Sequence, residues 1–497
     1  MKTVARADAA GLLVLGRIGT SIVAALSPLF LVRLLPKQDV GVLSGLLLIH
    51  ATAAMVTSSG SDRAVLFFLA DRDPADRRAV TSRIAWMLTG LGALVGLLMA
   101  GFAGASALFE WTFSGLTPSR LALLGLYVSL DVPTRLLPNL LVAEQRPAAS
   151  AAMQVVRSAG LVSATLLPPA LGGGVDLILW SLCSFSILYL LGFWAWVSHL
   201  YRGTSRDGQP EPWRSLVGFT APLALNDLVG WFNATLDRYL VLAFFPVEKF
   251  AEYRAGAWQI PILTSIPYSI GAVDTTRFAS LMRQNRGADV IAMWRASIHK
   301  TSLIVIPVAL AFALAAEPFV RLAFTAAYED AAPVFRWYCL ITLLRVAAFG
   351  PVLVAAGQPK SILKATALTL SSNLLLSIPC LFWFGFEGPA IGTFLTVFPT
   401  YLVWSLFISR ATGVPFRGIF PWRLVGLVTA CAGLPGALAL ALAHWYSLGD
   451  LSALLVILFG TVTGFGLLGS ASRLIVPDDW RFLRRWLSGK VLRSSGE

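Results

Sequence analysis

Charged residues are scarce in this sequence, and acidic residues are the scarcest. Only 13% of the 497 residues are charged, 57% are hydrophobic, and 39 Lys and Arg outnumber 26 Asp and Glu. Soluble domains carry about 25% charged residues. So little charge excludes a water-soluble fold and predicts an all-α protein that crosses a membrane many times.

The sequence also lacks the motifs of common metal and cofactor sites. It has four cysteines, none in a CxxC spacing, and all lie inside apolar stretches: Cys183, Cys339, Cys380 and Cys431. We interpret them as small apolar residues rather than as ligands or disulfides. The glycine-rich segment 90–96 lacks the GxGxxG spacing of a dinucleotide loop. No metal and no cofactor is expected.

Long apolar stretches make up most of the chain. A helix needs about 20 apolar residues to cross about 30 Å of hydrocarbon, and the pattern predicts about fourteen spans. They are 11–34, 41–69, 80–108, 120–143, 148–171, 175–200, 214–244, 251–273, 300–323, 333–356, 361–384, 388–409, 422–446 and 451–475. The first apolar stretch continues to Leu35, too long for a secretory signal, so we expect an uncleaved first span.

The number of Lys and Arg residues alternates between high and low from one gap between spans to the next. With the N-terminus placed in the cytoplasm, 26 of the 39 basic residues lie in cytoplasmic gaps and tails and five lie on the opposite side. This bias follows the positive-inside rule and predicts an even number of spans with both termini cytoplasmic. Because the basic residues form no single stripe, nucleic acid is not an expected partner.

Two weak internal similarities indicate a duplication. Segment 29–45 resembles 239–256 at an offset of 210, and 140–147 resembles 353–360 at an offset of 213, which pairs Gln145 with Gln358. Repeats between spans of equal direction predict two parallel six-helix lobes. The predicted organisation is a lobe at 1–200, a hinge-like cytoplasmic linker at 201–213, a lobe at 214–409, two additional helices at 410–475 and a basic cytoplasmic tail at 476–497.

Two further patterns concern helix packing and the membrane surface. Gly92 and Gly96 have the spacing of small residues that let membrane helices approach closely. Segments 277–300 and 480–493 mix Trp, Phe and Leu with Arg, which predicts amphipathic helices lying at the headgroup layer.

Charged residues inside the spans are the candidates for function. A charge at the centre of an inserted helix costs about 2.5–3.5 kcal/mol and therefore faces a partner or water. Polar residues concentrate in spans 1, 2, 7 and 8, which predicts a central cationic cleft, and arginine guanidinium groups in such a cleft suit an anionic cargo. Asp131 and Arg135 have the i, i+4 spacing of an ion pair. The candidates for ion coupling or structural pairing are Asp62, Asp131, Asp237, Glu252 and Asp274.

The second half carries the resemblance to a known family. Segment 219–260 resembles the seventh and eighth helices of bacterial polysaccharide flippases at Pro222, at Asp237 with Arg238, and at Ala251 with Tyr253. Segments 31–45 and 355–360 resemble two turns of that family, with Pro36 where glycine is common. The chain is thus similar to Wzx-type members of the multidrug/oligosaccharidyl-lipid/polysaccharide (MOP) exporter superfamily.

The resemblance implies a cargo and a place of action. It implies a non-enzymatic flippase that moves undecaprenyl-diphosphate-linked oligosaccharide across the bacterial inner membrane by alternating access, for exopolysaccharide, capsule or O-antigen export. Membrane lipid, a glycan polymerase and export machinery are the implied partners. In related lipid II flippases, lumen arginines engage the diphosphate. Arg17, Arg63 and Arg254 occupy comparable helices here, and Arg238 is a further candidate for binding the substrate.

Three other functions stay open from the sequence. A lipid II flippase has the same architecture and the same type of headgroup. A drug/cation antiporter of the superfamily usually has twelve spans, and the excess of intramembrane arginine disfavours a cationic cargo. A membrane glycan polymerase needs large outer loops, whereas the longest outer gap, 109–119, is short and carries no paired acid and base.

Overall fold

The chain folds into helices joined by short turns. The structure, a computed structural model, describes residues 26–108 and 115–481, and the all-α prediction is confirmed. The helices are α1 (26–34), α2 (Lys37–Ser58), α3 (Ser61–Phe68), α4 (Pro74–Leu108), α5 (Pro118–Thr134), α6 (Leu137–Ala143), α7 (Pro147–Ala170), α8 (Val175–Leu200), α9 (Trp213–Phe244), α10 (Val247–Gly256), α11 (Pro261–Arg283), α12 (Gly287–Leu314), α13 (Ala316–Phe324), α14 (Ala331–Leu344), α15 (Gly350–Ala355), α16 (Pro359–Phe384), α17 (Gly388–Thr412), α18 (Trp422–Trp445) and α19 (Asp450–Ala471).

Most helix ends agree closely with the predicted spans, although α11 and α12 extend 10 and 13 residues beyond theirs. The predicted span 175–200 is helix Val175–Leu200, and 361–384 is helix Pro359–Phe384. Within the described residues, nine segments are long and apolar enough to cross a membrane. One of them, Pro359–Thr412, contains the two long helices α16 and α17. The protein is therefore a multi-pass membrane protein. The total of fourteen spans and the orientation of the termini stay predictions.

Two compact units divide the chain. Unit 1 comprises the described residues up to Phe232 together with Pro246–Ala251, and unit 2 comprises Asn233–Phe245 with the described residues from Glu252 onward. Apolar side chains such as Ile84 and Phe193 fill the core of unit 1. Residues such as Val305 and Val352 do the same in unit 2. Each unit buries its own set of apolar side chains, as a separate lobe requires.

Five predicted spans are interrupted rather than continuous. The breaks lie at 59–60, 135–136, 257–260, 315 and 345–349. Backbone groups freed inside a membrane must find partners within the protein. At the last break, the Trp294 indole donates to the Ala348 carbonyl at 3.0 Å, and the Tyr401 hydroxyl donates to the Leu344 carbonyl. These donors come from distant helices, so the local sequence did not indicate the break.

Glycines allow α4 and α5 to pack closely. A Cβ atom added at Gly96 would lie 2.5 Å from the Gly125 carbonyl oxygen, and one at Gly92 would lie 3.2 Å from the Val132 Cβ. Real Cβ atoms do not approach backbone oxygen as closely as 2.5 Å. The predicted role of Gly92 and Gly96 in helix packing is confirmed.

We expect Gly96→Leu to destabilise unit 1. The new side chain would meet the backbone of α5 and push the helices apart, at a cost of about 1–3 kcal/mol or more. Gly101→Leu is the matched control on α4, because nothing lies within 4 Å of the added Cβ. Thermal unfolding of both purified variants measures the difference. Equal midpoints would contradict the packing role of Gly96.

The predicted hinge-like linker is tied to unit 1. The Arg78 guanidinium donates to the Thr204 carbonyl at 2.6 Å, and the backbone N–H of Gln209 donates to the Asp76 carboxylate at 2.7 Å. The Ser215 hydroxyl and the Arg72 guanidinium hold the pKa of the Glu211 carboxyl below its usual value. Side chains of the α3–α4 region therefore hold the linker at several points. Its hinge-like character stays a prediction.

The prediction that 277–300 forms an amphipathic helix at the headgroup layer is wrong. Its first part is the end of α11, and its second part is the start of α12. Trp294, expected at the headgroup layer, has only 2% of its surface exposed and lies in the core of unit 2. Its indole donates to a backbone carbonyl in the helix break at 345–349, and the sequence pattern did not reveal this contact. The other predicted headgroup segment, 480–493, lies outside the described residues except for 480–481.

Candidate functional site

The arginines that are counted on neither side of the membrane define the candidate site. There are eight of them inside the predicted spans: Arg17, Arg33, Arg63, Arg135, Arg157, Arg238, Arg254 and Arg345. Arg17 lies outside the described residues, so its predicted role stays a prediction. Arg33 donates to the Leu29 carbonyl one turn earlier, a local contact typical of a helix surface. The remaining six differ in how fully their charge is neutralised.

The most enclosed charge in unit 1 is Asp131, which is 2% exposed. Its two oxygens receive the Arg135 Nε at 3.0 Å and the Arg157 Nη2 at 2.5 Å. His50 lies 3.3 Å from the same carboxylate through Nε2, and its ring stacks on Tyr127 with centroids 4.1 Å apart. Helices α2, α5 and α7 thus meet at a single carboxylate.

This geometry favours a structural role for Asp131. The predicted pair with Arg135 is present, and Arg157 adds a second guanidinium group. A carboxylate held by two guanidinium groups stays ionised and is a poor proton carrier. The cluster also has more positive than negative groups, because one carboxylate serves two arginines.

A second enclosed carboxylate, Asp237, organises unit 2. It is 2% exposed and accepts hydrogen bonds from the Tyr253 hydroxyl at 2.9 Å and from the Tyr338 hydroxyl. Arg238 interacts electrostatically with this carboxylate and donates to Tyr338, while its buried Nε lacks a hydrogen-bond partner. Arg254 lies close enough to be repelled by Arg238. We call these five residues the unit 2 cluster.

Two of the four arginines predicted to bind substrate, Arg63 and Arg254, differ in their partners. Arg63 is exposed and donates to the Asp227 carboxylate at 3.0 Å, so its charge is balanced within unit 1. Arg254 is half-buried and forms no ion pair with any residue in the described part of the chain. An enclosed guanidinium without a direct ion pair is the feature expected of an anion site.

The other predicted carboxylates lie apart from these arginines. Asp62 is half-buried and forms no ion pair among residues 26–108 and 115–481. Glu252 is 3% exposed and acts electrostatically on Tyr328. Asp274 is 8% exposed and accepts from the Ser297 hydroxyl at 2.5 Å. None of the three is brought to Arg238 or Arg254 by a described contact, and their roles in ion coupling stay predictions.

Sequence reasoning emphasised spans 1, 2, 7 and 8 and missed contributors from the fifth and tenth. Arg157 and Tyr338 come from those two spans, and His50 of the second span joins the Asp131 cluster. An excess of arginine over nearby carboxylate was the available signal for Arg157. No local signal marks Tyr338, which is 101 residues from Asp237 in the chain. The predicted central cleft stays a prediction.

Comparison with known families gives one extended match. The family described as "Polysaccharide biosynthesis protein" matches residues 30–333. Among characterised proteins, the probable low-salt glycan biosynthesis flippase Agl15 of Haloferax volcanii is 21% identical over 320 residues. The match covers 62% of this chain and 65% of that relative, which is less than two thirds of its length.

Solved structures share the fold. The lipid II flippase MurJ in an inward closed conformation superposes with a TM-score of 0.68 at 11% identity, covering 93% of this chain and 98% of that chain. An inward-facing multidrug resistance transporter of the MATE family and MOP superfamily gives a TM-score of 0.57 at 14% identity, covering 80% and 96%. Together the matches confirm the resemblance predicted from the motifs, and the fold is that of MOP superfamily transporters.

Proposed function

Because the chain belongs to the polysaccharide biosynthesis protein family, we propose that it is a flippase for an undecaprenyl-diphosphate-linked oligosaccharide. The observation that carries this proposal is the unit 2 cluster, where Arg238 and Arg254 share the single carboxylate of Asp237. The cluster therefore has a surplus of positive charge inside a membrane protein. An anionic group is the ligand that such a surplus suits.

A diphosphate fits the chemistry of the cluster. Guanidinium groups present planar, paired donors that match phosphate oxygens, and they keep their charge at any physiological pH. Away from bulk water, each contact is stronger than at a protein surface. Arg238 already has a buried Nε without an acceptor, so one donor is available without breaking an existing bond. The tyrosines around Asp237 hold the carboxylate in place and limit its competition for Arg254.

The names of the relatives also support a flippase for a lipid-linked glycan. Agl15 is called a probable glycan biosynthesis flippase, and MurJ is called a lipid II flippase. We propose transport by alternating access, in which repeated halves rock and open to either side in turn. The headgroup would bind the arginines while the polyprenyl tail stays in lipid. Membrane lipid, a glycan polymerase and export machinery stay proposed partners, and the bacterial inner membrane the proposed location.

The surplus of guanidinium groups disfavours a drug/cation antiporter. A cationic cargo needs carboxylates to bind it, whereas Asp131 and Asp237 are already held by arginine or tyrosine donors. A lipid II flippase differs from our proposal only in the glycan that follows the diphosphate. Transport assays with the two glycans separate these functions.

We expect Arg254→Ala to weaken the binding of farnesyl diphosphate to the purified full-length protein by about 10- to 100-fold. Loss of one charge-assisted hydrogen bond costs about 1.5–3 kcal/mol, and 1.4 kcal/mol is a factor of ten. Arg321→Ala is the control, because Arg321 is paired with Glu329 at an exposed site. Calorimetric titration measures both affinities.

The same variants can be tested in cells. In a flippase-deleted strain, Arg254→Ala should reduce polysaccharide export while protein levels match those of Arg321→Ala. Undiminished export, or farnesyl diphosphate binding that is equal in all three proteins, would contradict a diphosphate site at the unit 2 cluster.

A further inference from the structure

The two repeats contain the same helix break. Helices α2 and α10 begin at Lys37 and Val247, and α5 and α14 end at Thr134 and Leu344, all at an offset of 210. After the break, α7 and α16 begin at Pro147 and Pro359, an offset of 212. The second break has three more residues than the first, and α15 is one residue shorter than α6, which together give the change of two.

The register predicted after the break therefore needs a correction. The sequence similarity paired Gln145 with Gln358 at an offset of 213, whereas the structure pairs Gln145 with Gly357. Both of these residues have left-handed backbone conformations, with φ of 57° and 66°. The sequence alignment of the two repeats is off by one position here, because the repeats share the geometry of this turn and not its residue types.

An arginine stands at the break in each repeat, and only one is neutralised. Arg135 and Arg345 are the residues that directly follow α5 and α14. In the first repeat, the residue four positions earlier is Asp131, which binds Arg135 at 3.0 Å. In the second repeat, the equivalent position is Ile341. Arg345 forms no ion pair with any described residue, and its side chain is exposed.

Arg345 belongs to the same helix face as the unit 2 cluster. Residues seven apart share a face of an α-helix, so Arg345 follows Tyr338 on the face that also carries the buried Ile341. It acts electrostatically on Tyr338, whose hydroxyl binds Asp237. At about 1.5 Å per residue, it lies about 10 Å further along the axis than Tyr338. With the predicted orientation, that direction is toward the cytoplasm.

We propose that Arg345 is an anion-binding residue that receives the diphosphate headgroup before it reaches Arg238 and Arg254. An unpaired arginine within a predicted span is costly unless an anion or water meets it. The loss of the partner carboxylate in the second repeat leaves this guanidinium free for a ligand. The break exposes it, and Trp294 and Tyr401 hold the break open by binding its carbonyl groups. This inference deepens the proposed function and rests on it.

Restoring the carboxylate of the first repeat tests the proposal. We expect Ile341→Asp to pair with Arg345 as Asp131 pairs with Arg135, and to weaken farnesyl diphosphate binding by about tenfold. Ile341→Asn places a neutral group of the same shape there and should bind nearly as the wild type does. Arg345→Ala should weaken binding as Ile341→Asp does, and Arg345→Lys should fall between.

Arg336→Ala is the matched control on α14, because Arg336 is exposed and paired with Glu317 at 3.2 Å. Thermal unfolding of each variant checks that it is folded. Because Ile341 is buried, Ile341→Asp could fail to fold, and Arg345→Ala with Arg345→Lys then decides the question.

The outcomes separate this inference from the proposed function. Wild-type affinity in Arg345→Ala, with weakened affinity in Arg254→Ala, overturns the role of Arg345 and leaves the diphosphate site in place. Absence of farnesyl diphosphate binding by the wild type overturns both. Weakening in Arg345→Ala and Ile341→Asp, with none in Ile341→Asn and Arg336→Ala, supports a free guanidinium as the binding group.

Discussion

Asp131→Ala should lower the free energy of unfolding by about 3–5 kcal/mol. Removing one partner of a buried ion pair leaves an uncompensated charge in a medium that solvates it poorly. Here the loss would strand two guanidinium groups, those of Arg135 and Arg157, for which Asp131 is the one ion-paired carboxylate in the described part of the chain. His50 would also lose the carboxylate that lies 3.3 Å from its Nε2. The expected effect is therefore near the upper end of that range.

Denaturant titration in mixed micelles measures this effect against a control at the membrane edge. Asp176 binds Arg120 at 2.9 Å, but its side chain is 59% exposed. Asp176→Ala should cost only about 0–1 kcal/mol, because exposed pairs contribute little. Adding Arg157→Leu to Asp131→Ala should recover part of the loss, since it removes one stranded charge. Similar losses in Asp131→Ala and Asp176→Ala would show that the Asp131 cluster does not stabilise unit 1.

Asp237→Ala should also lower the free energy of unfolding by about 3–5 kcal/mol, for a partly different reason. The carboxylate accepts from the buried Tyr253 and Tyr338 hydroxyls, and each would lose its acceptor. An unsatisfied buried donor costs about 1–3 kcal/mol. Arg238 would in addition lose its adjacent negative charge.

Asp237→Asn separates the two causes. The amide oxygen can still accept from the tyrosines, so this variant loses the charge and keeps much of the hydrogen bonding. We expect its unfolding free energy to fall between those of the wild type and Asp237→Ala. Asp289→Ala serves as the exposed control, because Asp289 pairs with Arg286 at a surface where its side chain is 49% exposed. A loss in Asp237→Asn as large as that in Asp237→Ala would assign the stabilisation to charge alone.

Most helix ends could be predicted, but the breaks could not. Apolar stretches such as 175–200 are bounded by polar residues that the bilayer excludes from its core, so their ends are local properties. The break at 345–349 depends on donors from Trp294 and Tyr401, which lie 54 and 57 residues from their acceptors. A continuous span was the natural prediction without them. The prediction of a headgroup helix at 277–300 was wrong for the same reason, because Trp294 is buried in the core of unit 2 and binds the remote Ala348 carbonyl.

The candidate site was predicted in part. The spacing of Asp131 and Arg135 was enough to predict their pair, because i, i+4 neighbours meet on one helix face. Arg254 and Arg238 were marked by their charge in an apolar context. The amino-acid pattern did not show that Arg63 is paired with Asp227, 164 residues away, or that Arg345 forms no ion pair with residues 26–108 and 115–481.

The sequence by itself determined that this protein crosses a membrane as a set of apolar helices and that it carries more arginine than its interior carboxylates can balance, and it predicted a duplication. These properties follow from composition and short-range periodicity, which do not depend on how the helices pack against one another. Only the tertiary structure decided where the helices break and which arginines keep a free charge. Both depend on side chains that are remote in the chain, and partners of buried polar groups are chosen by the packing of whole helices.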